Sequence, residues 1–125
     1  MQRTPGTVLI VDDDAAVRSA LKFVLEVEGL DVRLYDGPVA LLAETELPAH
    51  ACLIVDYLMP GMDGLNLVDR LRERQVGLPV ILITARISDD LSRRAERAGV
   101  KRILEKPLSD SKLIDSIYSA LGPSR

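Results

Sequence analysis

Val8-Leu9-Ile10-Val11 is an aliphatic run without polar alternation that stops abruptly at Asp12-Asp13-Asp14. Such a run suits a strand buried on both faces of a parallel sheet, where neither side has room for a polar side chain. Directly after it, Val17, Leu21, Val24 and Leu25 fall at i, i+4, i+7 and i+8, which predicts a helix with one apolar face. Strand, acidic turn and helix form a unit, and the unit recurs. Val32 to Tyr35, Leu53-Ile54-Val55, Val80-Ile81-Leu82-Ile83 and Ile103-Leu104 predict four more strands. Leu91, Ala95 and Ala98, and then Leu113, Ile117 and Leu121, carry the helical spacing again.

The punctuation agrees with this division. Asp14, Asp63, Ser88 and Ser109 stand where a side-chain oxygen would accept an orphan helix N–H, and Leu108 is placed to staple to Leu113 across the last cap. Gly29, Gly99 and Gly122 follow three helices as left-handed terminators, and Pro123 bars continuation of the last. The order is therefore βαβαβαβαβα, an α/β class that implies right-handed crossovers and a five-stranded parallel sheet, doubly wound, with helices on both faces. One domain over residues 1–125 is expected, with linker-like pieces at Gln2 to Gly6 and Gly122 to Arg125. In such folds the working crevice lies at the carboxyl ends of the strands, near a topological switch point.

Composition narrows the chemistry. At 125 residues with 47% hydrophobic and 28% charged residues the chain can bury one core, and no apolar run nears the ~20 residues that span a bilayer. A net charge of −3 argues against a nucleic-acid face. The single Cys52 excludes an internal disulfide, and the single His50 removes catalytic histidine pairs, so carboxylates must carry the chemistry. Met1 to Thr7 shows neither a basic n-region nor a long apolar h-region, which places the expectation in the cytoplasm.

Four of the five strands deliver a polar group to one rim: Asp12-Asp13-Asp14, Asp56, Thr84, and Lys106-Pro107 just past Glu105. Asp14 serves as a cap, which leaves Asp12, Asp13 and Asp56 facing one another if strands one and three are neighbours. Clustered carboxylates repel and raise each other's pKa unless a cation intervenes. Few oxygen ligands with room for water suit Mg²⁺, a lysine supplies a point charge for a phosphoryl group, and a threonine supplies a short adjustable donor. The set suits a phosphoryl group.

With Val11-Asp12-Asp13-Asp14, Asp56-Tyr57-Leu58-Met59-Pro60-Gly61-Met62-Asp63-Gly64, Ile83-Thr84-Ala85 and Glu105-Lys106-Pro107 in order, each at a strand end, the chain resembles response-regulator receiver domains of two-component signalling. The resemblance covers nearly the whole chain, and its Asp run and Glu-Lys-Pro ending are similar to receivers of nitrogen-fixation-type transcription regulators. It implies the flavodoxin-like (βα)5 fold, Asp56 as phosphoacceptor, Asp12 and Asp13 with Asp56 and the Leu58 backbone carbonyl holding Mg²⁺, and Thr84 and Lys106 on the phosphoryl oxygens. It also implies a cis Lys106–Pro107 bond and a phosphohistidine donor on a sensor histidine kinase or phosphotransfer protein. The output it implies is a change in the face of helix four, strand five and helix five, where a homodimer could form. DNA would be reached through a separate domain, and no membrane is involved.

Chemistry supports the assignment, because an aspartyl phosphate forms by in-line attack that demands positioning and charge neutralisation rather than a general base. Thr84 moving toward the added charge is the natural switch, with Ile103 and Pro107 as further switch positions by resemblance. Ile103 departs from the pattern, since the family usually has Tyr or Phe there. A branched aliphatic side chain is a poor lever, so a muted rotamer change is expected, with Ala85 to Ser88 and helix four carrying more of the response and Tyr118 anchoring contacts on the output face.

The rival readings are a Mg-dependent aspartyl-phosphate phosphatase similar to haloacid-dehalogenase enzymes, a flavin-binding module of the flavodoxin kind, and a scaffold-type receiver. The first wants an Asp where Leu58 stands, the second a phosphate loop where the three Asp stand, and the third an incomplete site. Three further expectations are ordinary: His50 exposed and idle, Cys52 as core filler, and Arg86, Arg93, Arg94, Arg97, Lys101 and Arg102 as a solvated face.

Overall fold

The computed structural model describes residues 6–122; Pro123 and most of the expected terminal linkers lie outside these. The elements are β1 Thr7–Val11, α1 Ala15–Val27, β2 Asp31–Tyr35, α2 Pro38–Leu42, β3 Ala51–Asp56, α3 Gly64–Glu73, β4 Val80–Thr84, α4 Asp89–Arg97, β5 Arg102–Glu105 and α5 Asp110–Leu121. All five strands are parallel in the order β2-β1-β3-β4-β5.

That order explains the hydropathy pattern. The aliphatic strands β1, β3 and β4 are the three central ones and are buried almost throughout, while β2 and β5 are edges that carry charge at Asp31, Arg33, Arg102 and Glu105. Short, charged edges discourage pairing with another sheet. Alternate residues of each central strand then feed two cores. Val8, Ile10, Ile54, Ile81 and Ile83 pack with Leu21 and Leu25 of α1 and Leu113, Ile117 and Leu121 of α5. Leu9, Val11, Leu53, Val55 and Leu82 pack on the opposite face with Leu41 of α2, Leu65, Leu67, Val68 and Leu71 of α3, and Leu91 and Ala95 of α4. Each large aliphatic side chain so buried contributes about 1.5–3 kcal/mol. By that measure α4 is held less firmly than its neighbour α3, since it buries one large aliphatic side chain, Leu91, together with Ala95, against five buried residues on α3.

The four expected caps all form. Asp14 Oδ1 accepts from the Ala16 and Val17 amides, Asp63 Oδ1 from Asn66, Ser88 Oγ from Leu91 and Ser109 Oγ from Lys112. Gly29 and Gly99 take positive φ, and each is followed by an amide that bonds back five residues, Leu30 to Leu25 and Val100 to Ala95. The same closure at the end of α3 is made by Gln75, φ 63°, with the Val76 amide on the Leu71 carbonyl. A side chain with Cβ is strained in that conformation. Gln75→Gly is therefore expected to raise stability by about 0.5–1 kcal/mol, the relief of strain exceeding the added freedom of the unfolded chain. A urea midpoint that stays put or falls would contradict this.

Arg72 ties α3 and α4, two of the three helices of that layer, together. Its guanidinium donates to the carbonyls of Val76 (2.8 Å) and Leu78 (2.9 Å) after α3 and of Ala98 (3.1 Å) and Gly99 (3.3 Å) after α4. The far end of α4 is thus fixed by hydrogen bonds as well as by the packing of Ala95, Ala98 and Val100 on the core.

Candidate functional site

Sheet register builds the site. Val11 pairs with Val55, so Asp12, one step beyond on β1, faces Asp56 at the end of β3. This is where the strand order reverses direction, and the connections from β1 and β3 leave toward opposite faces. Asp56 pairs with Ile83, which sets Thr84 one step beyond it, and Thr84 pairs with Glu105, which sets Lys106 one step beyond in turn. Four positions at or one step past a strand end thus converge on one crevice.

One carboxylate oxygen each from Asp12, Asp13 and Asp56 lie within 4.8 Å of one another. Asp12 and Asp56 are buried, at 2% and 7% exposure, and Asp13 is exposed. Asp12 Oδ1 also accepts from the Asp14 amide (2.9 Å), and Arg18 grips the Asp12 carbonyl (2.7 Å), so the acidic turn is held rigidly at the head of α1. Lys106 Nζ stands 3.4 Å from Asp56 Oδ1. The peptide bond from Lys106 to Pro107 is cis. Leu58 sits in the bend after Asp56 with its side chain exposed.

Burial raises the Asp56 pKa above 3.8, the neighbouring Asp12 charge adds to it, and Lys106 opposes it. Asp12 is likewise raised, chiefly by burial, with the Asp14 amide and Lys106 pulling the other way. Mutual repulsion, the cause expected from the sequence, is thus second to the loss of water. Three oxygen donors and no sulfur or imidazole among them fit a hard divalent cation, and two buried carboxylates held above their ordinary values give a cation charge to answer.

A pH dependence follows. In metal-free protein the folded state retains protons on this pair that the unfolded chain has released, so the pair's contribution to stability is fullest at low pH and is lost as pH rises from about 4 through the folded values. Asp56→Asn escapes part of that loss. Its urea midpoint should gain on that of wild type as pH rises from about 4; a pH-independent difference would defeat the assignment.

Thr84 is buried, and its hydroxyl is engaged away from Asp56: Oγ1 donates to the Arg86 carbonyl (3.1 Å) and accepts from the Arg86 amide (3.3 Å). Glu105 Oε2 takes the Ile87 amide (3.2 Å). The stretch from Ala85 to Ser88 is therefore held by two side chains, of which the sequence had pointed to Thr84 alone. Beside it, Ile87, Ile103, Leu104, Pro107, Leu108 and Lys112 line an open groove of ≈ 630 Å³, with Ile103 half-buried.

Three sequence expectations need correction. Tyr118 donates to the Glu28 carbonyl (3.3 Å) at the end of α1, which places it on the α1 side of α5 rather than on the α4–β5–α5 face. His50 is exposed but not idle, since its Nε2 bonds the Leu121 carbonyl (3.0 Å) at the end of α5. Arg94 leaves the solvated row: its guanidinium meets the Tyr57 hydroxyl (3.3 Å), Asn66 Oδ1 (3.2 Å) and Asp63 Oδ2 (3.5 Å). Neither Tyr118 nor Arg94 carried a sequence signal, because each partner lies in another element. Cys52 is core filler as expected, fully buried, its thiol pushed up to about 12 by loss of water.

Comparison with known proteins agrees with this geometry. The model of the response regulator receiver domain matches residues 8–118. The transcriptional regulatory protein FixJ of Bradyrhizobium diazoefficiens is 35% identical over 118 residues, which are 94% of this chain and 58% of FixJ. The C4-dicarboxylate transport transcriptional regulatory protein DctR of Rhodobacter capsulatus is 38% identical over 118 residues, 93% of this chain and 60% of DctR. The chain thus spans a little over half the length of these relatives. The crystal structure of FixJ-N superposes with a TM-score of 0.86 at 33% identity, covering 97% of this chain and 95% of that one. The β2-β1-β3-β4-β5 sheet, the acidic crevice at its switch point and these matches together establish that the chain belongs to the response regulator receiver domain family.

Proposed function

We propose that residues 1–125 act as the phosphoacceptor receiver domain of a two-component regulator, taking a phosphoryl group onto Asp56 from a histidine kinase or phosphotransfer protein with Mg²⁺ bound. The observation that carries this reading is the meeting of Asp12, Asp13 and Asp56 oxygens within 4.8 Å, with Lys106 3.4 Å from Asp56. Asp12, Asp13, Asp56 and the Leu58 backbone carbonyl are the groups that would hold the ion. Bound there, it would neutralise carboxylate and phosphoryl charge. A carboxylate oxygen of Asp56 bonds to phosphorus as the bond from phosphorus to the donor nitrogen breaks, its electron pair leaving with the donor. Lys106 already faces one oxygen of that carboxylate.

The product carries about −1.5 to −2 charge beside a buried aspartate, so a further donor is drawn in. Thr84 is the group available. Turning its hydroxyl toward Asp56 forfeits both bonds to Arg86 and leaves Ala85 to Ser88 on the Glu105 contact. The change then passes to weakly anchored α4 and to the groove beside Ile103 and Pro107, the face on which partners, or a second copy, would be sensed. Ile103 is half-buried and short, which supports a modest part for it. The chain is a switch rather than an enzyme with its own substrate, the only chemistry proposed being phosphorylation and dephosphorylation of itself. Its transcriptional relatives favour transcription as the output, reached through a separate DNA-binding domain. Among the described residues no helix is long and apolar enough to cross a membrane, and a cytoplasmic place accords with a kinase partner.

The test is incubation with Mg²⁺ and a small acyl phosphate, read by intact mass. One added phosphoryl group that is lost on treatment with base or hydroxylamine is expected. No adduct, or steady turnover of phosphate esters instead, would remove the proposal.

A further inference from the structure

Arg94 contacts both ends of one loop. Tyr57, which it meets through the hydroxyl, opens the loop after β3; Asp63 closes it, and Asn66 lies in the first turn of α3. The loop is also held from the sheet and from α3, with Met59 buried in the core beneath it. The Tyr57 amide bonds the Ile83 carbonyl of β4 (2.8 Å), the Gly64 amide returns to the Tyr57 carbonyl (2.7 Å), and Asp63 Oδ1 holds the Asn66 amide (2.7 Å). Within it lies Leu58, two residues past Asp56. Arg94 thus bridges this closed loop to α4, a helix that buries Leu91 and Ala95 alone. The rest of the basic row, Arg86, Arg93, Arg97, Lys101 and Arg102, is exposed, whereas Arg94 is half-buried.

We propose that Arg94 is a positioning residue through which the loop after Asp56 and helix α4 set each other's position, so that a cation at the acidic site is sensed by α4 before any phosphoryl group arrives. The proposal deepens the reading of Asp12, Asp13 and Asp56 as a Mg²⁺ site. The physical basis is the contrast in anchoring: α3 and β4 hold the loop firmly, α4 has little apolar hold of its own, and a forked guanidinium with three oxygen partners is directional enough to transmit a small shift. Coupling of this kind is reciprocal, since a helix that follows the loop must also bias it.

The test begins without metal. In amide NMR spectra of the full chain, Arg94→Gln should shift the amides from Tyr57 to Gly64 and speed their hydrogen exchange, and Tyr57→Phe, which removes one acceptor and keeps the ring, should shift those of α4. A loop that stays silent in Arg94→Gln overturns the proposal. Mg²⁺ is then titrated alone. Wild type should show responses at Asp13, at the loop and along α4. In Arg94→Gln the loop should still respond, the α4 response should be largely lost, and Mg²⁺ should bind about fivefold more weakly, at the low end of ordinary couplings between sites. A merely structural role for Arg94 would leave the α4 response intact, and that result also overturns the proposal. If Mg²⁺ moves neither Asp13 nor the loop in wild type, the metal reading fails, while the metal-free arm still judges the coupling between loop and α4. Should Arg94→Gln unfold, Asn66→Ala removes one acceptor in a helix-compatible way and must weaken the same α4 response for the proposal to stand.

Discussion

Asp56→Asn is expected to take up no phosphoryl group under conditions that convert wild type fully. The neutral amide lacks the anionic oxygen that would attack phosphorus in the proposed reaction, and Lys106, 3.4 Å from Asp56 Oδ1, loses the carboxylate it faces. A loss of at least about a thousandfold in rate, or ~4 kcal/mol of barrier, is expected from removing the nucleophile alone. Asp12 and Asp13 share the cluster but do not replace it: Asp12 Oδ1 is committed to the Asp14 amide, and Asp13 stands exposed at the mouth. Because burial and the Asp12 charge both penalise the ionised Asp56, the variant should also be the more stable folded protein at neutral pH without metal. Activity and stability moving in opposite directions separates a lost nucleophile from a damaged fold. An Asn variant that still gains one phosphoryl mass at a comparable rate would place the acceptor elsewhere.

Gly64→Ala should be the most damaging single-methyl change near the site. A Cβ at Gly64 would lie 2.6 Å from the Asp56 carbonyl oxygen, 2.9 Å from Val55 Cγ1 and 3.1 Å from Leu82 Cδ1. The nearest of these is backbone of the strand end that carries Asp56, so it cannot rotate aside. Space is the requirement here, for Gly64 is not among the glycines with positive φ. Alanine would otherwise favour the start of α3, and the expected loss of about 3 kcal/mol is what remains after that gain. Because the clash bears on Asp56 itself, phosphoryl uptake should slow even in the fraction that stays folded. Equilibrium denaturation and the acyl phosphate assay on the same sample check both effects. A variant within about 0.5 kcal/mol of wild type would mean that β3 and α3 can separate at no cost.

What can be read along the chain is what depends on near neighbours. The aliphatic runs at β1, β3 and β4, the helical spacing of Leu113, Ile117 and Leu121, and the caps at Asp14, Asp63, Ser88 and Ser109 are all set by residues within one or two turns of each other. The same local logic found Asp12, Asp13, Asp56, Thr84 and Lys106, because each stands at or just past a strand end, where a parallel sheet presents its crevice. The placement of Leu58 as a carbonyl donor came from resemblance alone.

Other features waited on the tertiary structure. Gln75 closes α3 in a conformation that glycine normally takes, since the Val76 amide finds the Leu71 carbonyl there. Thr84 spends its hydroxyl on Arg86, and the raised pKa of Asp56 owes more to burial than to its acidic neighbours. Arg94 looked like any other member of a basic row until α4 was set beside α3, and Tyr118 turned out to face α1 because α1 and α5 share one side of the sheet. A side chain's own type and spacing reveal whether it belongs to the core or to the surface. Which partner it meets depends on strand order and on which helices are neighbours, and those are properties of contacts many residues apart, with no trace in the local pattern.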